Sequence, residues 1–337
     1  MSCFQDSYIK SPRAHEQLWP INVNLSIHYS YGLLLLSVLV GLIRNTLLNL
    51  WLILELNTIL FILILFTSEG LANAGSLVKY FIIQTFRSVG LILGGVTLPA
   101  RAGPGLIIIQ ISIIVKLGAL PGHGWYLSVI QRLGWANIFT LSTIQKLMPL
   151  FLLIRISRMA EVLIISATSV ISGLFATSSI RLKRLIGYSS ILNVAWLVAS
   201  SLSLPRLFFF FSAYSGTMGL LSLYLAPTRS GALFDSKVCL THAEALTLCG
   251  VFLRLRGIPP FINFWAKLIV LKALVSKSLV VAIYIMLMTG WIVYVYTRMI
   301  EVLLITRGRR GSPTLKLNNS RFLPFNLLLF GGLVIIL

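Results

Sequence analysis

The chain has 337 residues, of which 57% are hydrophobic and only 11% charged. A water-soluble domain carries about 25% charged residues to cover its surface, so this composition excludes an ordinary globular protein and points to a polytopic membrane domain. The net charge of +20 would suggest nucleic acid in a soluble protein. In a membrane chain the basic residues belong in loops, where they set orientation and meet anionic lipid, and nucleic acid is not an expected partner.

Residues 1–25 read as a polar N-terminal arm. Asp6 and Glu16 set it apart from an Arg-rich transit peptide, and it has no secretory apolar core. Apolar runs able to cross about 30 Å of hydrocarbon then recur along the chain. The expected fold class is all-α, polytopic, with about eleven transmembrane helices. Their spans are 26–43, 47–66, 77–98, 105–133, 137–156, 161–179, 184–204, 206–226, 241–276, 279–300 and 322–337.

Two of these are expected to be broken, the fourth at Leu120-Pro121 and the ninth at Gly257 to Phe261. Proline removes a backbone donor and clashes with the preceding turn, and the freed backbone groups must find protein or water, since lipid offers none. Matching breaks suggest two five-helix halves, 26–156 and 161–300. An odd number of helices would invert the second half relative to the first, as in many transporters, whose sites lie at such breaks. A basic loop, 301–321, precedes a C-terminal helix, 322–337. Basic residues are richer on the side of Lys10, Arg13, Arg132, Arg181, Lys183, Arg184, Arg307, Arg309 and Arg310. The positive-inside rule therefore puts the N-terminus on the side of synthesis.

Four ionisable residues fall inside the expected spans: Glu55 in the second, Lys116 just before the first break, Lys146 in the fifth helix and Lys267 just after the second break. An ion at mid-membrane costs at least about 2.5–3.5 kcal/mol on insertion scales, so four amount to roughly 10 kcal/mol, comparable to a domain's whole stability. Proton handling is a use that matches this cost. Burial disfavours the charged form of such groups and an opposite charge favours it, so a Glu–Lys pair titrates as a unit. Lysine, unlike arginine, can release its proton. His123, beside the first break, is either a proton shuttle or a cap for the broken helix. Arg87, Arg254 and Arg256 read as structural ion-pair or lipid contacts. Cys3, Cys239 and Cys249 are too few and too scattered for a disulfide framework or a metal site, and no metal or bound cofactor is expected.

The segments LELNTILFILIL, VKYFIIQ, KLGALPGHGW, IQKLMPL, RLKRLIGYSSILNVAW and GIPPFINFWAK occur in this order from about residue 50 to 267. In sequence and spacing the chain resembles the subunit 2 family of mitochondrial NADH:ubiquinone oxidoreductase, complex I, an antiporter-like membrane subunit family. The resemblance implies a proton-translocating subunit of the mitochondrial inner membrane, with its N-terminus in the matrix. Glu55 and Lys116 would be the coupled pair, Lys146 the central relay and Lys267 the exit-side group. It also implies that FMN, iron–sulfur clusters and ubiquinone are held by other subunits. The partners would be other membrane-arm subunits, accessory subunits and phospholipid, cardiolipin among them. A free-standing cation/proton antiporter and a scaffold with static charge pairs are the alternatives.

Overall fold

The computed structural model describes residues 22–43, 46–69, 74–98, 102–120, 122–156, 181–201, 203–226, 242–259 and 261–308, with a few positions between 168 and 177; at 22–27, 102, 156, 242–246 and 302–308 it describes the backbone alone. Most of the N-terminal arm, the span at 161–179, the end of the basic loop and the helix at 322–337 therefore lie outside the described residues.

Among the described residues there are twelve α-helices. They are α1 (Asn22–Ile43), α2 (Leu47–Glu69), α3 (Ala74–Thr97), α4 (Ala102–Lys116), α5 (His123–Ile130), α6 (Trp135–Ser142), α7 (Ile144–Ile156), α8 (Leu182–Ser200), α9 (Leu204–Leu225), α10 (His242–Arg256), α11 (Ile262–Val275) and α12 (Leu279–Gly308).

The expectation of about eleven transmembrane spans is not what these helices form. Among the described residues only five stretches are long and apolar enough to cross a membrane: Leu47–Glu69, Ala74–Thr97, Trp135–Arg155, Leu204–Leu225 and Leu279–Glu301. The breaks account for part of the difference, because α4, α5, α10 and α11 have 15, 8, 15 and 14 residues. A helix rises about 1.5 Å per residue, so none of these alone reaches across about 30 Å. In α1 the apolar stretch among the residues with described side chains is His28–Ile43. In α8, Lys183, Arg184, Ser189, Ser190 and Asn193 dilute the apolar content.

Four of the five spans keep one face in the bundle and one apolar face outward, whereas Trp135–Arg155 is mostly buried. On α2, Leu50, Leu54, Asn57, Thr58, Phe61, Ile64 and Leu65 are buried, whereas Leu48, Leu52, Leu56, Ile59 and Leu63 are exposed. Both stripes recur at three- and four-residue spacing, one helical turn, and the outer one is what hydrocarbon requires. By contrast, every residue of α8 from Leu185 to Ser200 is buried. It is a central post packed against α5, α9, α11 and α12.

The basic loops meet at one end of the bundle. Lys183 Nζ donates to the Leu133 carbonyl at 2.7 Å, and Arg184 Nη2 donates to Gln131 Oε1 at 3.3 Å. At another position Arg155 Nη2 donates to the Leu42 carbonyl at 3.2 Å, joining the ends of α7 and α1.

Candidate functional site at the two helix breaks

Both breaks are set by a glycine rather than a proline. Gly118 has φ 75° and Gly257 has φ 70°, the left-handed conformation that glycine adopts without a Cβ penalty. The Gly118 N–H bonds the Val115 carbonyl at 3.2 Å and the Ala119 N–H bonds the Ile114 carbonyl at 3.1 Å. At the second break the Gly257 N–H bonds the Arg254 carbonyl at 3.1 Å and the Ile258 N–H bonds the Leu253 carbonyl at 3.5 Å. This pair of bonds, 5→2 and 6→1, is the Schellman motif that ends helices at a C′ glycine. The first break thus starts before Leu120-Pro121, and Lys116 is the last residue of α4. Pro121 and Pro260 lie outside the described residues.

Each shortened helix is tied to the one that follows it through the same carbonyl position. The Trp125 indole N–H donates to the Val115 carbonyl at 3.1 Å, and Asn263 Nδ2 donates to the Arg254 carbonyl at 3.0 Å. Each of these carbonyls already accepts its glycine N–H, and the side-chain donor fills its second lone pair. A broken helix also presents its negative dipole end at the break, where a cation is favoured. Lys116 occupies that end of α4. At the second break the Lys267 Nζ, from α11, donates to the Arg256 carbonyl at the end of α10 at 2.7 Å.

Around the first break Lys116 and Lys146 are both buried and line one cavity together with Tyr80, Gln84, Trp125, Tyr126 and Gln145. It measures about 10 Å³, close to the least space that admits one water molecule. Rings from three helices wall this region, with Phe61 to Tyr80 at 5.3 Å, Tyr80 to Trp125 at 5.9 Å and Trp125 to Tyr126 at 5.7 Å between centroids. Gln145 Nε2 donates to Asn57 Oδ1 at 2.8 Å, which fixes the start of α7 against α2.

Glu55, on α2, receives Thr58 Oγ1 at 3.5 Å, while its Oε1 is buried without a hydrogen-bond partner. Among the described residues no ion pair joins it to Lys116, although Glu55 and Arg87 both lie within Coulombic reach of that lysine. Glu55 and Lys116 are neighbours held apart. His123 is the first residue of α5, behind an N-cap, Gly122, that has no side-chain cap bond. The histidine's Nδ1 is buried without a partner, so His123 does not cap this helix.

Lys146 lies just past a joint. Thr143, with φ −117° and ψ −75°, separates α6 from α7, and Pro149 inside α7 leaves the Gln145 carbonyl without its usual helical donor. The Lys146 ammonium donates to Ser190 Oγ at 2.6 Å and to the Ser190 carbonyl at 3.3 Å. Lys267 is at a separate location, with its Nζ 5.8 Å from the Trp196 ring centroid. The structure brings Lys116 and Lys146 to one cavity, keeps Glu55 beside it, and places Lys267 across α8.

Two features, the Ser190 cluster and Glu69, escape sequence reasoning, while Arg87 and Arg256, which it named, meet aromatic rings. Ser190 and its tyrosine partners come from three helices, and no spacing announces them. Arg87 is 4% exposed, its Cζ stands 4.5 Å from the Trp125 ring centroid, and its three guanidinium nitrogens are buried without hydrogen-bond partners. Glu69, the last residue of α2, accepts the Gly134 N–H at the start of α6 and the Asn137 Nδ2, the latter at 2.7 Å. Tyr31 donates to Asn137 Oδ1 at 3.1 Å, so one carboxylate organises α1, α2 and α6. Arg256 Cζ stands 3.2 Å from the Tyr296 ring centroid, which makes its contact aromatic rather than ionic. Among the described residues no cluster of three or more His, Cys, Asp or Glu forms a metal site.

Known proteins share this architecture and sequence. A chain of respiratory complex I from Thermus thermophilus, solved with bound aureothin, superposes with a TM-score of 0.74 at 19% identity, over 94% of this chain and 83% of that one. NADH-ubiquinone oxidoreductase chain 2 of Myxine glutinosa is 30% identical over 313 residues, 85% of this chain and 88% of the relative. The same-named protein of Anopheles gambiae is 27% identical over 330 residues, 90% and 95% of the two chains. The transmembrane family model of NADH:quinone oxidoreductase and Mrp antiporters matches residues 103–293, the stretch that holds both breaks, Lys116, Lys146, Ser190 and Lys267. The chain therefore belongs to the NADH:quinone oxidoreductase/Mrp antiporter transmembrane family.

Proposed function

We propose that this chain is a proton-translocating membrane-arm subunit of respiratory NADH:ubiquinone oxidoreductase. It is a multi-pass protein of the mitochondrial inner membrane and works within a multi-subunit complex. The observation that carries the proton reading is the shared cavity of Lys116 and Lys146. Two ammonium groups lining one buried pocket repel each other, so a proton on one disfavours a proton on the other. Glu55 offsets part of that repulsion from outside the cavity. A movement that brings the Glu55 carboxylate closer to Lys116 favours a proton there, and one that separates them releases it towards Lys146. Lys267, held on a helix-end carbonyl, is the next group along the membrane. His123, with an unpartnered Nδ1, is placed to exchange protons beside the first break. Quinone reduction in other subunits supplies the drive, and the basic loops meet anionic phospholipid.

The test is Lys146→Met in the assembled complex. It is expected to leave assembly intact and abolish proton pumping coupled to NADH oxidation; an unchanged proton-to-electron ratio would sink the reading. Purification separates the rival activity, since a free-standing antiporter would be isolated alone or with copies of itself.

A further inference from the structure

Three side chains from three helices converge on one buried hydroxyl. Lys146 of α7 donates to Ser190 Oγ at 2.6 Å. Tyr126 of α5 donates to the same oxygen at 2.8 Å, and the Tyr214 hydroxyl of α9 lies 2.9 Å from it. A serine hydroxyl has one hydrogen and two lone pairs. With Lys146 charged, the ammonium and Tyr126 occupy both lone pairs. The Ser190 hydrogen then has one destination, so its bond with Tyr214, which distance alone leaves undirected, runs from Ser190 to Tyr214.

We infer that Ser190 is a positioning residue that reads the charge of Lys146 and passes it, as a reversal of hydrogen-bond direction, to Tyr214 on α9. A neutral Lys146 amine has a lone pair, and the Ser190 hydrogen turns to it. That empties a lone pair on Ser190, and Tyr214 turns its own hydrogen to Ser190. No bond to hydrogen breaks in this step, since two hydroxyls rotate. Ser190 and Tyr214 therefore exchange donor and acceptor roles with the charge of Lys146, which links α7, α8 and α9. Other ionisable groups facing Lys146 are Lys116 of α4, Tyr80 of α3, Tyr126 of α5 and Tyr214 of α9, with Glu55 of α2 acting through Lys116.

This inference rests on Lys146 being a proton carrier, and the experiment separates the two ideas. Ser190→Ala, Ser190→Thr, Tyr214→Phe and Lys146→Met are made in the assembled complex, and proton pumping is measured in membrane vesicles as a function of pH. Ser190→Ala removes a charge-assisted bond to the ammonium, and the pumping profile is expected to move towards acid by about one pH unit, with Ser190→Thr restoring it. Tyr214→Phe leaves Lys146 its bond but gives the Ser190 hydrogen no acceptor, and should shift the profile in the same direction. It carries the test alone if Ser190→Ala does not assemble. Wild-type profiles in the serine and tyrosine variants, alongside an inactive Lys146→Met, overturn the switch and spare the relay. Normal pumping in Lys146→Met overturns both.

Discussion

Gly118→Ala asks whether one backbone conformation holds the first break. At φ 75° an L-residue with a Cβ costs about 1–2 kcal/mol relative to glycine. The new Cβ would also lie 3.0 Å from both Cβ and Cγ of Tyr126. Neither is the far end of a flexible side chain, so α5 itself must shift, and overpacking of this kind costs typically 1–3 kcal/mol. The sum is about 2–5 kcal/mol, enough to lower the folded population of this segment by more than tenfold. Because the Tyr126 hydroxyl bonds Ser190 at 2.8 Å and its ring centroid lies 4.8 Å from Lys146 Nζ, the shift reaches the candidate proton site. The assay is the temperature of half-inactivation of pumping in the assembled complex, compared with Gly124→Ala. Gly124 is helical and has nothing within 4 Å of a built Cβ, so alanine there is expected to stabilise by about 0.5–1 kcal/mol. Equal inactivation temperatures for the two variants would refute the account of the break.

Two further substitutions probe charges the relay does not use. Arg87→Met loses a cation–π contact worth about 2 kcal/mol when desolvated but relieves an unpaired buried charge that costs several kcal/mol. It is therefore expected to raise the inactivation temperature, and a clear fall would show that Arg87 has an anionic partner in the assembled complex. Glu69→Gln keeps an acceptor for the Gly134 N–H but removes a negative charge from the start of α6. It should destabilise by about 0.3–1 kcal/mol, seen as a small drop in the same assay with pumping per turnover unchanged.

Where sequence reasoning succeeded, the cause is local. An apolar run of some twenty residues between polar ends forms a helix because lipid leaves the backbone no other partner, and the five full spans fall within a few residues of the positions expected for them. It fell short where a helix is neither long nor apolar. The break at Gly118 is written in the sequence as a glycine two residues beyond Lys116 and three before Pro121, but the proline is the louder signal and placed the interruption too late. Such breaks leave helices too short to be counted as spans, which is part of why a count from apolar content exceeded the five found among the described residues.

The sequence by itself determined that the chain is helical, that it resides in a membrane and that Glu55, Lys116, Lys146 and Lys267 stand within apolar stretches. Only the tertiary structure decided what surrounds each of them. In water, hydrophobic periodicity tells inside from outside, but here both faces of α2 are apolar and its pattern does not say which one meets protein. Polar α8, which is not apolar enough to count as a full span, is buried throughout from Leu185 to Ser200. Ser190 gathers Lys146, Tyr126 and Tyr214 from positions 44, 64 and 24 residues away, because hydrogen bonds between helices depend on how the helices pack, and packing is not a periodic property of any one of them.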